Sequence, residues 1–284
     1  MAPAARNDLE RDWTGAVTRA PHPGLHEHVR RYWGYGEQTV APMRRRELPS
    51  PEVVVILSSN AELRLLDARD PTGTPARHTS FVAGLTEASV LTEHDGVSHG
   101  LQVNLTPLGA RAVFGMPMHV ISNGVVALED VWGRAAGELV ERLYEASGWP
   151  ARFDILDAAI ADRIARTEAP PPAVAWAWTR LVATHGRIAV AQLTKELGCS
   201  RKYLATHFRE QIGLPPKPAA RVLRFHRAAG LLRREPGAEL ERVAMDCGYY
   251  DQPHFNRDFR EFAGSTPGEF LARLLPSEMG VAPE

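Results

Sequence analysis

One predicted helix in the C-terminal half carries side chains whose types and spacing suit contact with a nucleic acid. Leu204, Phe208 and Ile212 recur at intervals of four and define its buried face. The side chains pointing away from that face are Arg201, Lys202, Ala205, Thr206 and Arg209. Basic side chains donate hydrogen bonds to phosphates and guanine edges, and a threonine methyl can contact thymine. A solvated helix face would carry similar residues, so the helix's neighbours must distinguish the two interpretations.

Two histidines raise the alternative of a metal site. His94 and His99 flank an Asp-Gly turn and could approach one another across a hairpin. A cupin-type metalloenzyme would instead show a His-x-His pair with a downstream Glu in a glycine-framed pattern, which this segment lacks. The chain also has no Gly-rich phosphate loop and no nucleophile elbow. We therefore predict no metal site, no cofactor and no catalytic residue.

Two other polar or aromatic clusters have no assigned ligand. Three consecutive arginines, Arg44, Arg45 and Arg46, could hold an anion, although an exposed charge run between prolines is the alternative. Aromatic residues in the first predicted strand could line a pocket or serve the core. Effector-binding residues therefore remain unassigned.

Length and composition favour a protein of two globular domains. The 284 residues are 44% hydrophobic and 24% charged, as in ordinary globular proteins. The longest aliphatic run, Val53–Leu57, is far shorter than the roughly 20 residues of a membrane-spanning helix. Residues 1–13 carry charges where a secretory signal needs an apolar core, so we expect a cytoplasmic protein. Cys199 and Cys247 are too few for a disulfide framework.

The N-terminal half has the pattern of a β-rich domain. Val53–Leu57 reads as a strand buried on both faces, and Leu101, Val103 and Leu105 alternate with polar residues. Turn chemistry at residues 70–73 separates two of these segments. We predict an α+β fold, in which a sandwich or barrel-like domain precedes helices and an all-α C-terminal domain.

Helical periodicity begins near Glu129. Leu139 and Leu143 lie on one apolar stripe, which could pack inside its own domain or against the equivalent helix of a second copy. From Val174 to about Leu275 we predict no strand.

The C-terminal half contains an internal repeat with a period near 51 residues. Leu204, Phe208, Gly213 and Pro216 recur 51 positions later as Phe255, Phe259, Gly264 and Pro267. Upstream, Leu193-Thr194 and Leu197-Gly198 recur 50 positions later as Val243-Ala244 and Cys247-Gly248. Each copy predicts a helix, a glycine-containing turn and a second helix, which is a helix-turn-helix unit. The change from 50 to 51 places one additional residue in the second turn.

The repeat and its connecting segment resemble the AraC family of bacterial transcription regulators. A predicted helix at Pro216–Arg234 joins the two units. The other residues that carry the resemblance are Gly248, Tyr249, Tyr250, Asp251, Gln252, Phe255, Arg257, Phe259, Gly264, Ser265, Thr266 and Pro267. It covers residues 174–273, with Thr194 standing where the family usually has Ala and Tyr249 where Phe is common.

This resemblance implies roles for individual residues. In the first unit it implies that Lys202, Ala205 and Thr206 read bases and that Arg201 and Arg209 contact phosphates. In the second unit it places Gln252, His254 and Arg257 outward, with Pro253 opening the helix and Asn256 adjacent. An amide or guanidinium group can contact a purine through two hydrogen bonds.

Charge is distributed unevenly along the chain. Residues 173–284 hold 16 Lys+Arg and 12 Asp+Glu, a net of +4, whereas residues 1–172 hold 17 and 22, a net of −5. We assign residues 1–172 to a β-rich effector-sensing domain with C-terminal helices. Residues 173–284 are assigned to an AraC-type DNA-binding domain.

The resulting functional expectation is a sequence-specific DNA-binding transcription regulator controlled by a small-molecule effector. The expected partners are double-stranded promoter DNA and the effector, with a homodimer and, for an activator, RNA polymerase as further candidates. The alternative is a metal-dependent sensor or cupin-like enzyme that its helical domain tethers to DNA.

Overall fold

A computed structural model describes residues 15–59, 61–68, 70, 72–274 and 281–282. The charged segment at residues 1–13 and Pro71 of the predicted turn lie outside these ranges. In the described chain nine strands precede the first α-helix and one short strand follows it, after which the regular elements are helical, which confirms the predicted α+β class. None of the helices in these ranges has the length and apolar character needed to cross a bilayer.

Ten strands in the described residues form two antiparallel sheets. They are β1 Gly15–Arg19, β2 Val29–Gln38, β3 Met43–Glu47, β4 Val53–Leu57, β5 Leu63–Asp67, β6 Ala76–His78, β7 Phe81–Ala83, β8 Val90–His94, β9 Val97–Leu105 and β10 Val125–Ala127. The larger sheet has the order β1-β2-β9-β4-β7-β10, and the smaller has the order β3-β8-β5-β6. The predicted turn before β6 is present, since the Gly73 amide donates to the Asp70 carbonyl at 3.1 Å.

Strand β4 lies at the centre of a three-layer arrangement. Val53, Val55 and Leu57 belong to the main core, which includes the helices that follow the sheet. Between these positions, Ile56 packs with Leu65 of the smaller sheet. Because both faces of β4 are covered, its continuous aliphatic sequence is the pattern expected for a fully buried strand.

Eleven helices follow or join the sheets in the described residues. They are α1 Pro107–Phe114, α2 Leu128–Trp132, α3 Arg134–Glu145, α4 Gly148–Ile164, α5 Pro172–Ala183, α6 Val190–Leu197, α7 Arg201–Ile212, α8 Pro216–Arg234, α9 Leu240–Asp246, α10 Gln252–Ala263 and α11 Pro267–Ala272. No strand lies in residues 174–274, as predicted.

The apolar stripe of α3 packs within its own chain. Leu139 and Leu143 are 4% and 0% exposed and share a core with Phe153 and Leu156 of α4. Of the two alternatives for this stripe, packing inside the domain is correct. These leucines are not available to a second copy.

His94 and His99 do not face one another across a hairpin, so the alternative arrangement raised for them is wrong. Their strands, β8 and β9, lie in different sheets, so the Asp-Gly turn connects the two sheets without pairing its flanking strands. His94 lies beside Glu37, with 3.3 Å between Nε2 and Oε2, and His99 packs against Tyr144. Among the described residues there is no group of three or more His, Cys, Asp or Glu side chains placed to hold a metal ion.

The three consecutive arginines of β3 are bound to neighbouring side chains. Arg44 donates to Glu93 at 2.9 Å, and Arg45 forms an ion pair with Glu37. Arg46 donates to Ser89 at 3.0 Å. Of the two alternatives for this run, a free anion-binding site is therefore not supported, because each guanidinium group already has a partner.

The main core continues from the sheet into the C-terminal helices. Met118 and Ile121, which follow α1, belong to the same cluster of buried side chains as Ile212 and Leu214 at the end of α7. The proposed division after residue 172 falls at the first residue of α5. The two parts of the chain are thus in direct apolar contact.

Candidate nucleic-acid interface

The first helix-turn-helix unit consists of α6 and α7, with a turn closed by two local hydrogen bonds. Helix α6 ends at Gly198, whose φ of +64° is in the left-handed region that favours glycine. The Cys199 amide then donates to the Thr194 carbonyl at 3.1 Å. Ser200 caps the next helix, since its hydroxyl accepts the Tyr203 amide at 3.1 Å. This geometry fixes where α7 begins.

The second unit, α9 and α10, repeats these contacts. Gly248 has φ of +78°, and the Tyr249 amide donates to the Ala244 carbonyl at 3.0 Å. Asp251 replaces the serine cap and accepts the His254 amide at 2.7 Å. The extra turn residue predicted by the repeat is present, because the caps Ser200 and Asp251 are 51 positions apart.

Helix α8, which has the predicted bounds, connects the two units. Phe225 is fully buried and packs against Phe259 and Phe262 of α10, with ring centroids 5.1 and 4.9 Å apart. Arg221 forms ion pairs with Asp258 at 3.0 Å and Glu261 at 2.6 Å. Aromatic packing and charge pairing therefore hold α10 at a defined position on the connecting helix.

In the first unit the structure exposes the predicted polar face. Arg201, Lys202, Thr206 and Arg209 are exposed, and Ala205 is half-buried. Within the described residues the three basic side chains form no ion pair, so their charges are available. Tyr203, absent from the predicted set, is 45% exposed beside them and lies edge-on to His207. The signal in the sequence that could have identified Tyr203 is its position next to Lys202.

The predicted residues of the second unit are placed less uniformly. Pro253 and Arg257 are exposed, whereas Gln252, His254 and Asn256 are half-buried. The His254 ring packs edge-on against Tyr249, with centroids 5.4 Å apart, and so helps to close the turn. The buried Oδ1 of Asn256 accepts no hydrogen bond within the described residues. Arg257 is the exposed cation of the predicted set in this unit.

The turn of the second unit contains a buried thiol. Cys247 is fully buried, and burial raises the pKa of its thiol to about 11. The thiol is therefore protonated at neutral pH, which disfavours reaction as a thiolate.

The N-terminal part touches equivalent positions of both units. Gly213 ends α7 against Met118 and Ser122, and Gly264 ends α10 against Arg46. These contacts are at the C-terminal ends of α7 and α10. The opposite ends, which carry the predicted base-reading residues, remain accessible.

Comparison with known proteins identifies the C-terminal part. Residues 193–273 match a family model described as a helix-turn-helix domain, and residues 17–127 match a domain of unknown function, DUF6597. The chain is 37% identical over 79 residues to the F1 operon positive regulatory protein of Yersinia pestis, which is 28% of this chain and 25% of that protein. It is 32% identical over 71 residues to the HTH-type transcriptional regulator MtrA of Neisseria gonorrhoeae, covering 25% of this chain and 23% of that one.

The chain thus spans about a quarter of the length of these curated relatives. Among solved structures, ToxT of Vibrio cholerae is similar with a TM-score of 0.46 and 9% identity, covering 91% of this chain and 98% of that one. These matches support the resemblance of the C-terminal units to those of AraC-type transcription regulators.

Proposed function

We propose that this protein binds specific sequences in double-stranded promoter DNA and thereby regulates transcription. The observation that carries the proposal is the pair of structurally equivalent units whose second helices, α7 and α10, expose their N-terminal ends. In helix-turn-helix proteins these ends enter the major groove and meet base edges. A rigid connecting helix suits the simultaneous use of two groove segments.

The proposed contacts differ in kind. Lys202 and Thr206 would read bases through a guanine edge and a thymine methyl, with Ala205 close enough for apolar contact. Arg201 and Arg209 would bind phosphates. In the second unit Arg257 and Gln252 would read purines, while Pro253, His254 and Asn256 would shape the helix that presents them.

Footprinting of the full-length protein on genomic fragments tests this function. We expect two protected segments on one face of the duplex, about 10 bp apart. Lys202→Ala should relax sequence preference in one segment and Arg257→Ala in the other. Arg134→Gln, an exposed change on α3, is the control. Absence of duplex affinity even at low salt would reject the function.

We further propose that residues 1–172 sense a small-molecule effector and transmit its binding to DNA affinity. The contacts at Gly213 and Gly264 support this division of roles, because they join the N-terminal part to the same point of each unit. An effector acts by binding one arrangement of the two parts more tightly than another. Metabolites of the regulated pathway, identified from the footprinted promoters, should change DNA affinity. If none does so, the sensing role fails.

We further propose, from the resemblance to the AraC family, that the protein forms a homodimer, acts on RNA polymerase and is located in the cytoplasm. A dimer would present four units and favour promoters with two correctly spaced sites. Sedimentation of the protein on DNA with one or two sites distinguishes the monomer from the dimer, and transcription in vitro tests the action on polymerase.

A further inference from the structure

Two arginines and a histidine lie near one another between the two helix-turn-helix units, outside both predicted recognition surfaces. His185 and Arg187 lie in the loop that joins α5 to α6, and Arg227 lies on α8. Both arginines act electrostatically on His185, and the pKa of its imidazole is lowered by partial burial first and then by Arg227 and Arg187. The two guanidinium groups make this site electropositive, whereas the lowered pKa favours a neutral His185 imidazole.

Arg187 precedes the first unit in sequence but touches the second unit in space. Its side chain crosses Gly248 so closely that a Cβ at that glycine would lie 2.6 Å from the arginine Cγ. Its Nε donates to the Thr184 carbonyl at 3.2 Å, which fixes the direction of the side chain. Three residues further along, α6 begins at Val190. The guanidinium group is thus held at the junction of the units.

An arginine of α8 outside the cluster anchors the loop itself. Arg224 donates from Nη1 to the Gly186 carbonyl at 2.9 Å. Arg227 lies beside the Cys247 thiol, and its buried Nε has no hydrogen-bond partner in the described residues. The loop that carries Arg187 is thus fixed to the connecting helix, while the Arg187 side chain is exposed.

The cluster lacks the carboxylates that neutralise other arginines of this region. Arg221 is paired with Asp258 and Glu261, and Arg242 with Glu235. Among the described residues, neither Arg187 nor Arg227 forms an ion pair. Holding like charges together without an anion is unfavourable, so the site suits an anionic ligand that arrives from outside.

We propose that this cluster binds the sugar-phosphate backbone of the DNA segment between the two half-sites, with Arg187 as the principal contact. This inference rests on the proposed function, because it requires a duplex bound by α7 and α10. The first helix of such a unit crosses the backbone while the second enters the groove. A backbone passing from one groove segment to the next meets the junction of the units, and a guanidinium group matches phosphate geometry.

The decisive variant is Arg187→Gln in the full-length protein. Glutamine retains the Cβ and Cγ atoms that pack on Gly248 but removes the charge. On an operator fragment that the wild type protects, loss of one phosphate contact should reduce the slope of log affinity against log salt by about 0.9. Ethylation interference should disappear at the phosphates between the half-sites and persist within them.

Two further variants control the interpretation. Arg134→Gln makes the same change in net charge on α3 and should leave both the salt slope and the interference pattern unchanged. Arg187→Lys retains the charge and should restore most of the slope. If Arg187→Gln leaves both the salt slope and the central interference pattern unchanged, the inference is wrong. The proposed function still stands in that case, provided that the protein binds its operator specifically. Interference lost only within a half-site would also overturn it. A wild-type protein without duplex affinity would instead reject the proposed function.

Discussion

The two helix-turn-helix units have the same turn hydrogen bonds but opposite charge. Residues 190–212 hold four Lys+Arg and two Asp+Glu, a net of +2, whereas residues 240–263 hold three and five, a net of −2. Even the caps differ in this sense, because Ser200 is neutral and Asp251 carries a carboxylate. Backbone geometry and surface chemistry have therefore been set independently in the two copies.

The units also differ in how they are held. In the first, Phe208 of α7 packs against Trp178 of α5, with ring centroids 6.2 Å apart. In the second, Asp258 of α10 is buried and paired with Arg221 of α8. The first unit thus has an apolar attachment and a net positive charge, whereas the second adds a buried ion pair to its aromatic attachment and has a net negative charge. We expect the first to supply more of the electrostatic affinity and the second to depend more on individual contacts.

Removing the charged attachment should have the largest effect. Arg221→Met would leave the carboxylate of Asp258, which is 5% exposed, without its partner. An uncompensated buried charge costs about 3–5 kcal/mol. Urea denaturation should report a loss of this order, and footprinting should show weaker protection at the half-site of the second unit.

Adding Asp258→Asn to Arg221→Met separates charge from packing. The double variant should recover part of the lost stability, because the buried group is then neutral. If it is as unstable as Arg221→Met, lost packing of the arginine on Phe262 accounts for the effect instead.

The glycines that end α7 and α10 should respond unequally to alanine. Gly213 has φ of +103° and ψ of −38°, and a Cβ there would lie 2.2 Å from Ser122 Oγ and 3.3 Å from the Met118 carbonyl oxygen. Gly264 has φ of +72°, and the nearest atom is the flexible end of Arg46. We expect Gly213→Ala to cost about 2–3 kcal/mol and Gly264→Ala about 1–2 kcal/mol in denaturation experiments.

Gly230→Ala provides the matched control for both glycines. Gly230 lies inside α8, and a Cβ there would meet no atom within 4 Å. Alanine should stabilise the protein by about 0.5–1 kcal/mol. Equal losses at Gly213 and Gly264 would show that the contact with Met118 and Ser122 does not distinguish the units.

Arginines of the two units should differ in the kind of DNA affinity that they supply. Arg257→Ala should cost roughly 1–3 kcal/mol on the matching sequence alone if its guanidinium reads a base. Arg209→Ala should weaken all sequences alike and reduce the salt slope, as expected for a phosphate contact. Binding to a panel of single-base variants at two salt concentrations separates these effects. A uniform loss for Arg257→Ala would reassign that residue to phosphate.

The smallest expected effect concerns the cap of the second unit. Asp251→Ser keeps a side-chain acceptor for the His254 amide but removes a negative charge from the end of α10 that would face DNA. Stability should change by less than about 0.5 kcal/mol, because serine and aspartate cap comparably. DNA affinity should increase, most at low salt. An unchanged affinity would place this end of α10 away from phosphates.

Local patterns in the sequence determined the C-terminal architecture. Gly198 and Gly248 supply left-handed backbone after the first helix of each unit, and Ser200 and Asp251 supply the next cap. Each device acts within a few residues, so a repeat of residue types predicts a repeat of structure. The bounds Pro216–Arg234 followed for the same reason, since proline opens that helix and its apolar spacing continues to the end.

Tertiary structure decided which surfaces those elements present. An apolar stripe such as Leu139 and Leu143 predicts that one face of a helix is buried, but the rest of the fold determines which element packs against that face. The same limit separated His94 from His99, because a turn can join two sheets as readily as two paired strands. For the same reason, sequence patterns do not show that Arg187 lies near Arg227, which is 40 positions away. Periodicity describes one element at a time, whereas a charge cluster exists only where several elements meet.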